Sequence, residues 1–300
     1  MEDWPGMMIS GRTRLAGIIG MPVAHSLSPV MHNAAYAALG LDWAYVPLGL
    51  DSEDDLARVL PALRVLPFVG FNVTMPFKQA MLEHCDEVAM LAQMAGAVNT
   101  VHCVDGRLIG YNTDGRGIVE SLKQEAGFSA QDQNIVILGA GGAAGAAALS
   151  FILEKPKGVS IVNRTIERAE ELADRVRPCA RAIEVVAVEP QDAEEAVRSA
   201  KLVVNATSLG MRPDDPSPVP AEWLNPEQIV CDMVYCAKET PLLRAARGAG
   251  AIPVGGLGML VHQAALAIDI WNEASQQQAP RDVMRAAAEV ASEGRCEVAE

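Results

Sequence analysis

The chain is short of positive charge. Among its 300 residues, 24 lysines and arginines stand against 38 aspartates and glutamates, a net charge of −14. A chain this acidic, with no local basic cluster, is a poor match for a nucleic-acid backbone. It also lacks a metal-type cysteine spacing. The cysteines at 85, 103, 179, 231, 236 and 295 form no Cys-x-x-Cys and no Cys/His zinc pattern. They read as reduced thiols of a cytoplasmic protein, and no metal site is expected. The first residues, Met1-Glu2-Asp3-Trp4, hold no basic segment followed by an apolar core, so no secretion signal is expected. A membrane-length apolar run is missing too. The longest uncharged stretch, 135–153, is interrupted by glycines at 139, 141, 142 and 145. It reads as a strand, a glycine turn and a buried helix. No internal repeat or low-complexity tract is visible.

What is present is an ordinary globular composition, 50 % hydrophobic and 21 % charged, in a chain long enough for two domains. Short apolar runs at 15–19, 43–48, 69–74, 135–138, 159–162, 202–206 and 229–234 alternate with stretches of helical period. That alternation predicts parallel α/β units. The proline-rich stretch 212–220 predicts an exposed, mobile loop. Apolar residues at 260, 264, 267, 268 and 271 predict a helix, and the tail beyond 275 predicts one more exposed helix.

Three places carry chemistry. Residues 135–138, Ile-Val-Ile-Leu, are followed by Gly139-Ala140-Gly141-Gly142-Ala143-Ala144 and an alanine-rich helix. This is G-x-G-x-x-A between a strand and a helix, the setting of a dinucleotide fingerprint. Gly139 permits the tight turn, Gly141 the approach of a pyrophosphate, and Ala144 close helix packing. The helix start offers free N–H groups to the phosphates. The next strand ends in Asn163-Arg164-Thr165, with Arg168 one turn on. A carboxylate there would repel a 2′-phosphate, whereas an arginine grips one, so NADP is favoured over NAD.

The second place is His25-Ser26-Leu27-Ser28-Pro29. Ser28 and Pro29 read as the cap and first residue of a helix. Ser26 and Ser28 together read equally well as a small carboxylate site at a positive helix end. The third is Asn72-Val73-Thr74-Met75-Pro76-Phe77-Lys78. Pro76 reads as opening a helix, which puts Lys78 in its first turn, where the dipole opposes a cation. The alternative is a solvated surface lysine. Asp114, in Tyr111-Asn112-Thr113-Asp114-Gly115, reads either as a helix cap or as a carboxylate paired with Lys78.

With these segments on the page, the chain resembles the shikimate dehydrogenase family over about residues 17–271. The resemblance runs through HSLSPVMHN (25–33), GFNVTMPFK (70–78), GAVNT (96–100), GYNTDGRG (110–117), GAGGAAGA (139–146), NRTIERA (163–169), NATSLGM (205–211), DMVY (232–235) and GLGMLVHQAA (256–265). It implies a two-domain α/β fold: a parallel-sheet substrate domain from 1–114 with 256–300, and a Rossmann NADP-binding domain from 115–255, with the site in the cleft. It implies that Ser26 and Ser28 bind the substrate carboxylate. Thr74, Asn99 and Gln263 would hold ring hydroxyls, with Tyr235 close by, and Lys78 and Asp114 would form the catalytic pair. Asn163, Arg164, Thr165 and Arg168 would hold the 2′-phosphate. Gly139, Ala140, Gly141, Gly142, Ala143, Thr207, Met233 and Gly256 would complete the NADP site. The implied activity interconverts shikimate and 3-dehydroshikimate in aromatic amino-acid biosynthesis, in a monomer or homodimer with small-molecule partners only.

The chain departs from many relatives at Cys236-Ala237-Lys238, where Asn-Pro would follow Tyr235, and at Met90, where an acidic residue is common. Preference for quinate or an aminoshikimate, and a non-catalytic NADPH-binding regulator, are the alternatives. A folate-linked dehydrogenase of similar architecture would not explain the Ser-Leu-Ser pair.

The arginine reading generates a test. Arg164→Ala raises the KM for NADP+ far more than the KM for NAD+, measured by steady-state kinetics with each cofactor. Equal effects on both contradict the 2′-phosphate assignment.

Overall fold

A computed structural model describes residues 9–296 apart from Glu53, Pro213 and residues 236–238. The departure at Cys236-Ala237-Lys238 lies outside the described residues. The strands form two sheets among those described, one in each of two compact units. The first unit comprises residues up to 93, 97–113 and 264 onward; the second comprises 94–96 and 114–263.

In the first unit the chain runs β1 (Arg14–Gly20), α1 (Ser28–Leu39), β2 (Trp43–Gly49), α2 (Asp54–Val65), β3 (Phe68–Val73), α3 (Met81–His84) and β4 (Glu87–Val88). After α4 (Met90–Ala95), whose last two residues belong to the second unit, come β5 (Thr100–Val104) and β6 (Arg107–Tyr111). The strand order is β2-β1-β3-β5-β6-β4. Strands β2, β1 and β3 are parallel, as the apolar runs predict. Strand β5 then pairs antiparallel with β3 and, as a hairpin, with β6, and no apolar run in the sequence marks this hairpin. Its residues alternate with polar ones and are only half buried in part, so they form no continuous apolar run.

Helix α2 covers one sheet face. Leu56, Leu60 and Leu63 recur at helical spacing and are buried against Phe68, Phe71 and Val73. Aromatic residues gather elsewhere in the unit. The His32 ring stacks on Tyr45 with centroids 4.0 Å apart, and Trp271 lies 5.8 Å from it. Trp271 donates its indole N–H to Val101 O at 2.9 Å. A Cβ on Gly70 would meet Trp271 Nε1 at 2.1 Å, so the bare backbone at Gly70 is what admits the indole.

In the second unit the chain runs α5 (Asp114–Ala126), β7 (Asn134–Leu138), α6 (Gly142–Leu153), β8 (Gly158–Val162), α7 (Ile166–Ala180) and β9 (Glu184–Val188). It continues through α8 (Glu194–Ser199), β10 (Leu202–Asn205), β11 (Ile229–Asp232), α9 (Pro241–Gly248), β12 (Ile252–Val254) and α10 (Gly256–Trp271), whose residues from Ala264 on belong to the first unit. The order β12-β11-β10-β7-β8-β9 is parallel throughout. Renumbered from β7, this is the 3-2-1-4-5-6 order of a doubly wound dinucleotide fold, with the reversal at β7/β10. Side chains alternate as a strand requires. Ile135, Ile137, Leu202 and Val204 enter the core shared with α5, α6 and α7, while Val136, Leu138 and Val203 enter the core on the other face. The uncharged stretch 135–153 is thus strand β7, a turn and α6. No helix among the described residues is long and apolar enough to cross a membrane.

Two expectations are corrected. The stretch 212–220 is not simply exposed, because Val219 is buried in the α9-side core and Asp215 accepts N–H groups from Gly210 and Arg212. The C-terminal helix α11 (Arg281–Cys296) is not merely exposed either; Met284, Ala287 and Ala288 are buried.

Burial of His32 generates a test. Its ring is 0 % exposed, and desolvation holds its pKa at about 4 against an ordinary 6.5, partly offset by Ser28 O. The unfolded chain takes up this proton as pH falls through 6.5, and the folded chain does so only near 4. The stabilisation is therefore complete above pH 6.5 and lost progressively between 6.5 and 4, by about 3 kcal/mol in all. Urea unfolding across that range should show a steeper loss for the native chain than for His32→Gln. Equal slopes rule out a neutral buried imidazole.

Candidate active site

The functional candidates of the first unit cluster at the carboxyl ends of β1 and β3. Beyond β3, Thr74 N–H donates to Ile19 O at 2.8 Å, and Phe77 N–H closes a turn on Thr74 O at 3.0 Å. Phe77 is buried and anchors that turn. Lys78 O accepts Val98 N–H at 2.8 Å, and Asn99 O accepts Val73 N–H at 2.8 Å. These backbone bonds bring Thr74, Lys78 and Asn99 into one patch. Lys78 is half-buried in a turn and does not sit in a helix; α3 begins only at Met81. No helix dipole therefore acts on Lys78 as a first-turn residue. The first α-helical bond here is Met81 N–H to Phe77 O, at 2.9 Å.

Asn99 is 2 % exposed and part of a buried polar network. Its Oδ1 accepts Thr113 N–H at 2.8 Å and the Thr100 hydroxyl at 3.0 Å, and its Nδ2 donates to Thr113 Oγ1 at 3.0 Å. Asn72 donates to Thr100 Oγ1 and to Asn99 O, and Tyr45 donates to Asn72 Oδ1. Thr113, the last residue before Asp114, is thereby fixed. The sequence reading gave Thr113 no role.

The serines are corrected in register. Helix α1 already includes Ser28, and Leu27 before it is in the αR region. Leu27 is the N-cap residue and supplies no side-chain cap; Ser26 Oγ, one residue further out, accepts Ser28 N–H at 3.2 Å. Ser28 is 3 % exposed, and its carbonyl meets His32 Nδ1 at 2.8 Å.

In the second unit the candidates line the carboxyl edge of the sheet. Gly139 follows β7 with φ of +110°, a conformation open to glycine, and its N–H donates to Val162 O at 2.7 Å. A Cβ there would meet Ala206 O at 3.1 Å and Thr207 Cγ2 at 3.2 Å, so the turn abuts the segment after β10 at the reversal point. Gly141 precedes α6 in extended conformation, and a Cβ there would meet nothing within 4 Å. The first-turn N–H groups of Gly142, Ala143 and Ala144 have no intrahelical acceptor. An open approach, unpaired donors and a helix dipole suit a pyrophosphate, so these residues fit a dinucleotide.

Asn163 follows β8; its N–H donates to Val188 O, and its Nδ2 donates to Thr165 O at 2.8 Å. Arg164, Thr165 and Arg168 are exposed. Thr207 is tied to Asn205 Oδ1 through both its N–H and its hydroxyl. Met233 N–H donates to Asn205 O, and a Cβ on Gly256 would lie 2.6 Å from Met233 O. Tyr235 is 39 % exposed, and Gln263, on α10, is buried with its Nε2 donating to Leu260 O at 2.9 Å. Asp114 is the first residue of α5 and is 4 % exposed. Met90, noted as a departure, is an exposed residue at the start of α4.

Asp232 was not assigned a role from sequence. It is buried at the end of β11 and accepts bonds from Asn205 Nδ2, Val234 N–H and the Thr240 hydroxyl. Burial pushes its carboxyl above the ordinary range. It ties the segments that carry Thr207 and Met233. An aspartate closing the apolar run Ile229-Val230-Cys231 is the signal that could have revealed it. Among the described residues no group of three His, Cys, Asp or Glu side chains is placed to hold a metal.

A doubly wound sheet with a glycine turn at its reversal point, joined in one chain to a second α/β unit with polar residues at its own carboxyl edge, defines the class of two-unit dinucleotide-dependent dehydrogenases. Family models match most of the length: a shikimate dehydrogenase substrate binding domain over residues 18–101, a shikimate/quinate 5-dehydrogenase over 120–211, and a shikimate 5′-dehydrogenase C-terminal domain over 256–289. A Methanopyrus kandleri protein named shikimate dehydrogenase (NADP(+)) is 42 % identical over 285 residues, covering 93 % of this chain and 96 % of its own. A Symbiobacterium thermophilum protein of the same name is 44 % identical, covering 95 % and 96 %. The crystal structure of a shikimate dehydrogenase in complex with NADP+ superposes with a TM-score of 0.87 at 37 % identity, covering 95 % of this chain and 98 % of that one. The chain belongs to the shikimate dehydrogenase family.

The two loop glycines should separate by experiment. Gly139→Ala strains the positive-φ turn and lowers folding stability by about 1–3 kcal/mol in chemical denaturation. Gly141→Ala costs under about 1 kcal/mol of stability. It weakens NADP+ binding about tenfold in fluorescence titration, the equivalent of about 1.4 kcal/mol. Undiminished binding by Gly141→Ala would refute the pyrophosphate approach.

Proposed function

We propose that this protein catalyses the NADP-dependent interconversion of shikimate and 3-dehydroshikimate, supplying the aromatic amino-acid pathway. Membership of the family over both units carries this reading. The unit built on β1 to β6 takes the substrate, and the unit built on β7 to β12 takes the cofactor. The enzyme works on small molecules in the cytoplasm as a monomer or homodimer. A quinate and NAD preference is disfavoured by the strand end at Asn163-Arg164, which offers no carboxylate to the adenosine ribose.

Bound NADP(H) supplies or accepts the hydride. Gly139, Ala140, Gly141, Gly142 and Ala143 hold its pyrophosphate, and Asn163, Arg164, Thr165 and Arg168 hold its 2′-phosphate. Thr207, Met233 and Gly256 complete that side. Ser26 and Ser28 bind the ring carboxylate through their hydroxyls. Thr74, Asn99, Tyr235 and Gln263 bind ring hydroxyls, so an analogue lacking one leaves a polar group unpaired. Lys78 and Asp114 are the catalytic pair. As an amine, Lys78 takes the proton of the C3 hydroxyl during oxidation; as an ammonium it returns it to the forming alkoxide during reduction. Asp114 accepts a hydrogen bond from a neighbouring ring hydroxyl and balances the lysine's charge.

Lys78→Ala should lower kcat by about 10²–10⁴-fold with a modest change in KM, followed at 340 nm with shikimate and NADP+. Near-normal turnover in that variant removes Lys78 from the mechanism. Faster native turnover of quinate with NAD+ than of shikimate with NADP+ would overturn the substrate reading.

A further inference from the structure

Helix α5 carries Asp114 at its first position and meets its neighbours through bare backbone. A Cβ on Gly115 would lie 2.3 Å from Ala146 O on α6. A Cβ on Gly117 would lie 2.9 Å from Gln263 Cβ and 3.0 Å from Gln263 N on α10. Positions two apart on a helix point about 200° from one another, so these glycines open opposite faces. Positions three apart share a face, about 4.5 Å along the axis. Gly117 therefore lies one turn from Asp114 on the same face, and the α10 backbone at Gln263 packs there.

The same pair of helices is closely fitted further along. A Cβ on Gly258 would lie 2.4 Å from Ser121 Oγ, and Ser121 Oγ is buried without a hydrogen-bond partner among the described residues. His262 Nε2 meets Gln124 Oε1 at 2.8 Å. Close approach has been kept here even where a hydroxyl goes unpaired. The atoms opposing Gly117 are the backbone nitrogen and Cβ of Gln263 and the backbone oxygen of Met259, none of which can swing aside as a flexible side-chain end does.

We propose that Gly117 is a positioning residue of the reaction: by carrying no side chain it seats α10 on the Asp114 face of α5 and sets Gln263 at the distance from which its amide serves the substrate ring. This rests on the assignment of Gln263 and Asp114 to the substrate. Gly117 touches neither substrate nor cofactor and acts only through where Gln263 stands.

The test is a double-mutant cycle on the full-length enzyme. Gly117→Ala raises the KM for shikimate about 3–10-fold, the effect of one displaced hydrogen bond, and leaves the KM for NADP+ unchanged. In a Gln263→Ala background the same substitution has no further effect on the shikimate KM. A merely structural role would move both Michaelis constants, or would multiply with Gln263→Ala, and either result overturns the proposal. If Gln263→Ala alone leaves the shikimate KM unchanged, the substrate assignment of Gln263 falls and the positioning role with it. Should Gly117→Ala fail to fold, Gln124→Leu, which deletes the acceptor of His262 beside Gln263, replaces it in the cycle with the same expected and overturning results.

Discussion

The arrangement of the first unit depends on the rule that buried polar groups must be paired. Asn72 and Thr100 lie directly opposite one another on β3 and β5, inside a sheet whose β3 is buried along its whole length. Neither could remain there alone, since an unpaired buried amide costs about 1–3 kcal/mol. The solution is a chain of donors from Tyr45 through Asn72 and Thr100 to Asn99 and Thr113. Such a network has one satisfied arrangement, so it fixes rotamers as well as contributing stability. Its outer end is Asn99, whose carbonyl also receives the last N–H of β3. The segment that bears Lys78 hangs from the next residue back, Val98. Positional accuracy at the sheet edge is inherited from the interior of the sheet.

The second unit reaches the same end by another route. Its strands at the reversal point are apolar apart from Asn134 at the start of β7 and Asn205 at the end of β10, and what positions the edge is close backbone contact at glycine together with one buried carboxylate. Gly139 lets the turn after β7 rest against Ala206 and Thr207. Asp232 gathers Asn205, Val234 and Thr240, three donors onto two oxygens. Burial pushes its carboxyl above the ordinary range, and the three donors partly oppose that rise. Removing it would strand three donors at once, so its place at the end of β11 is dictated by the segments it joins.

How much of this was legible in the sequence follows from the range of the interactions concerned. The parallel strands were visible because burial on both faces writes itself as an uninterrupted apolar run, as in Ile135-Val136-Ile137-Leu138. The glycine turn was visible because strand, turn and helix are consecutive. The β5–β6 hairpin was not, because His102 and Cys103 are only partly buried and the run is broken. Ser28 is not the cap of α1, because Leu27 takes a helical conformation ahead of the helix, which no propensity signals; the helix has no side-chain cap, and Ser26 Oγ accepts its first N–H. The helix expected at Pro76 failed because Phe77 closes on Thr74, three residues back, before α-helical bonding begins. The pairing of Gly70 with Trp271 joins residues far apart in the chain, and each looks ordinary until the other is known.

A chain of net charge −14 is assigned two anionic ligands, a carboxylate and a phosphorylated dinucleotide. Net charge acts at long range and is screened beyond about 8 Å at physiological ionic strength. Recognition inside that distance is governed by the groups in contact. Along the carboxyl edge of the second sheet the proposed groups are the N–H donors at the start of α6 and the exposed guanidinium groups of Arg164 and Arg168. No acidic residue falls between Gly139 and Ser150, or between Val159 and Ile166. The acidic excess sits elsewhere, as in Glu194 and Glu195 at the start of α8. The protein is acidic as a whole and basic or neutral at the proposed anion contacts, so short-range attraction there works against a screened long-range repulsion. Raising ionic strength removes the repulsion first, because the contacts at the helix start are shorter than the screening length.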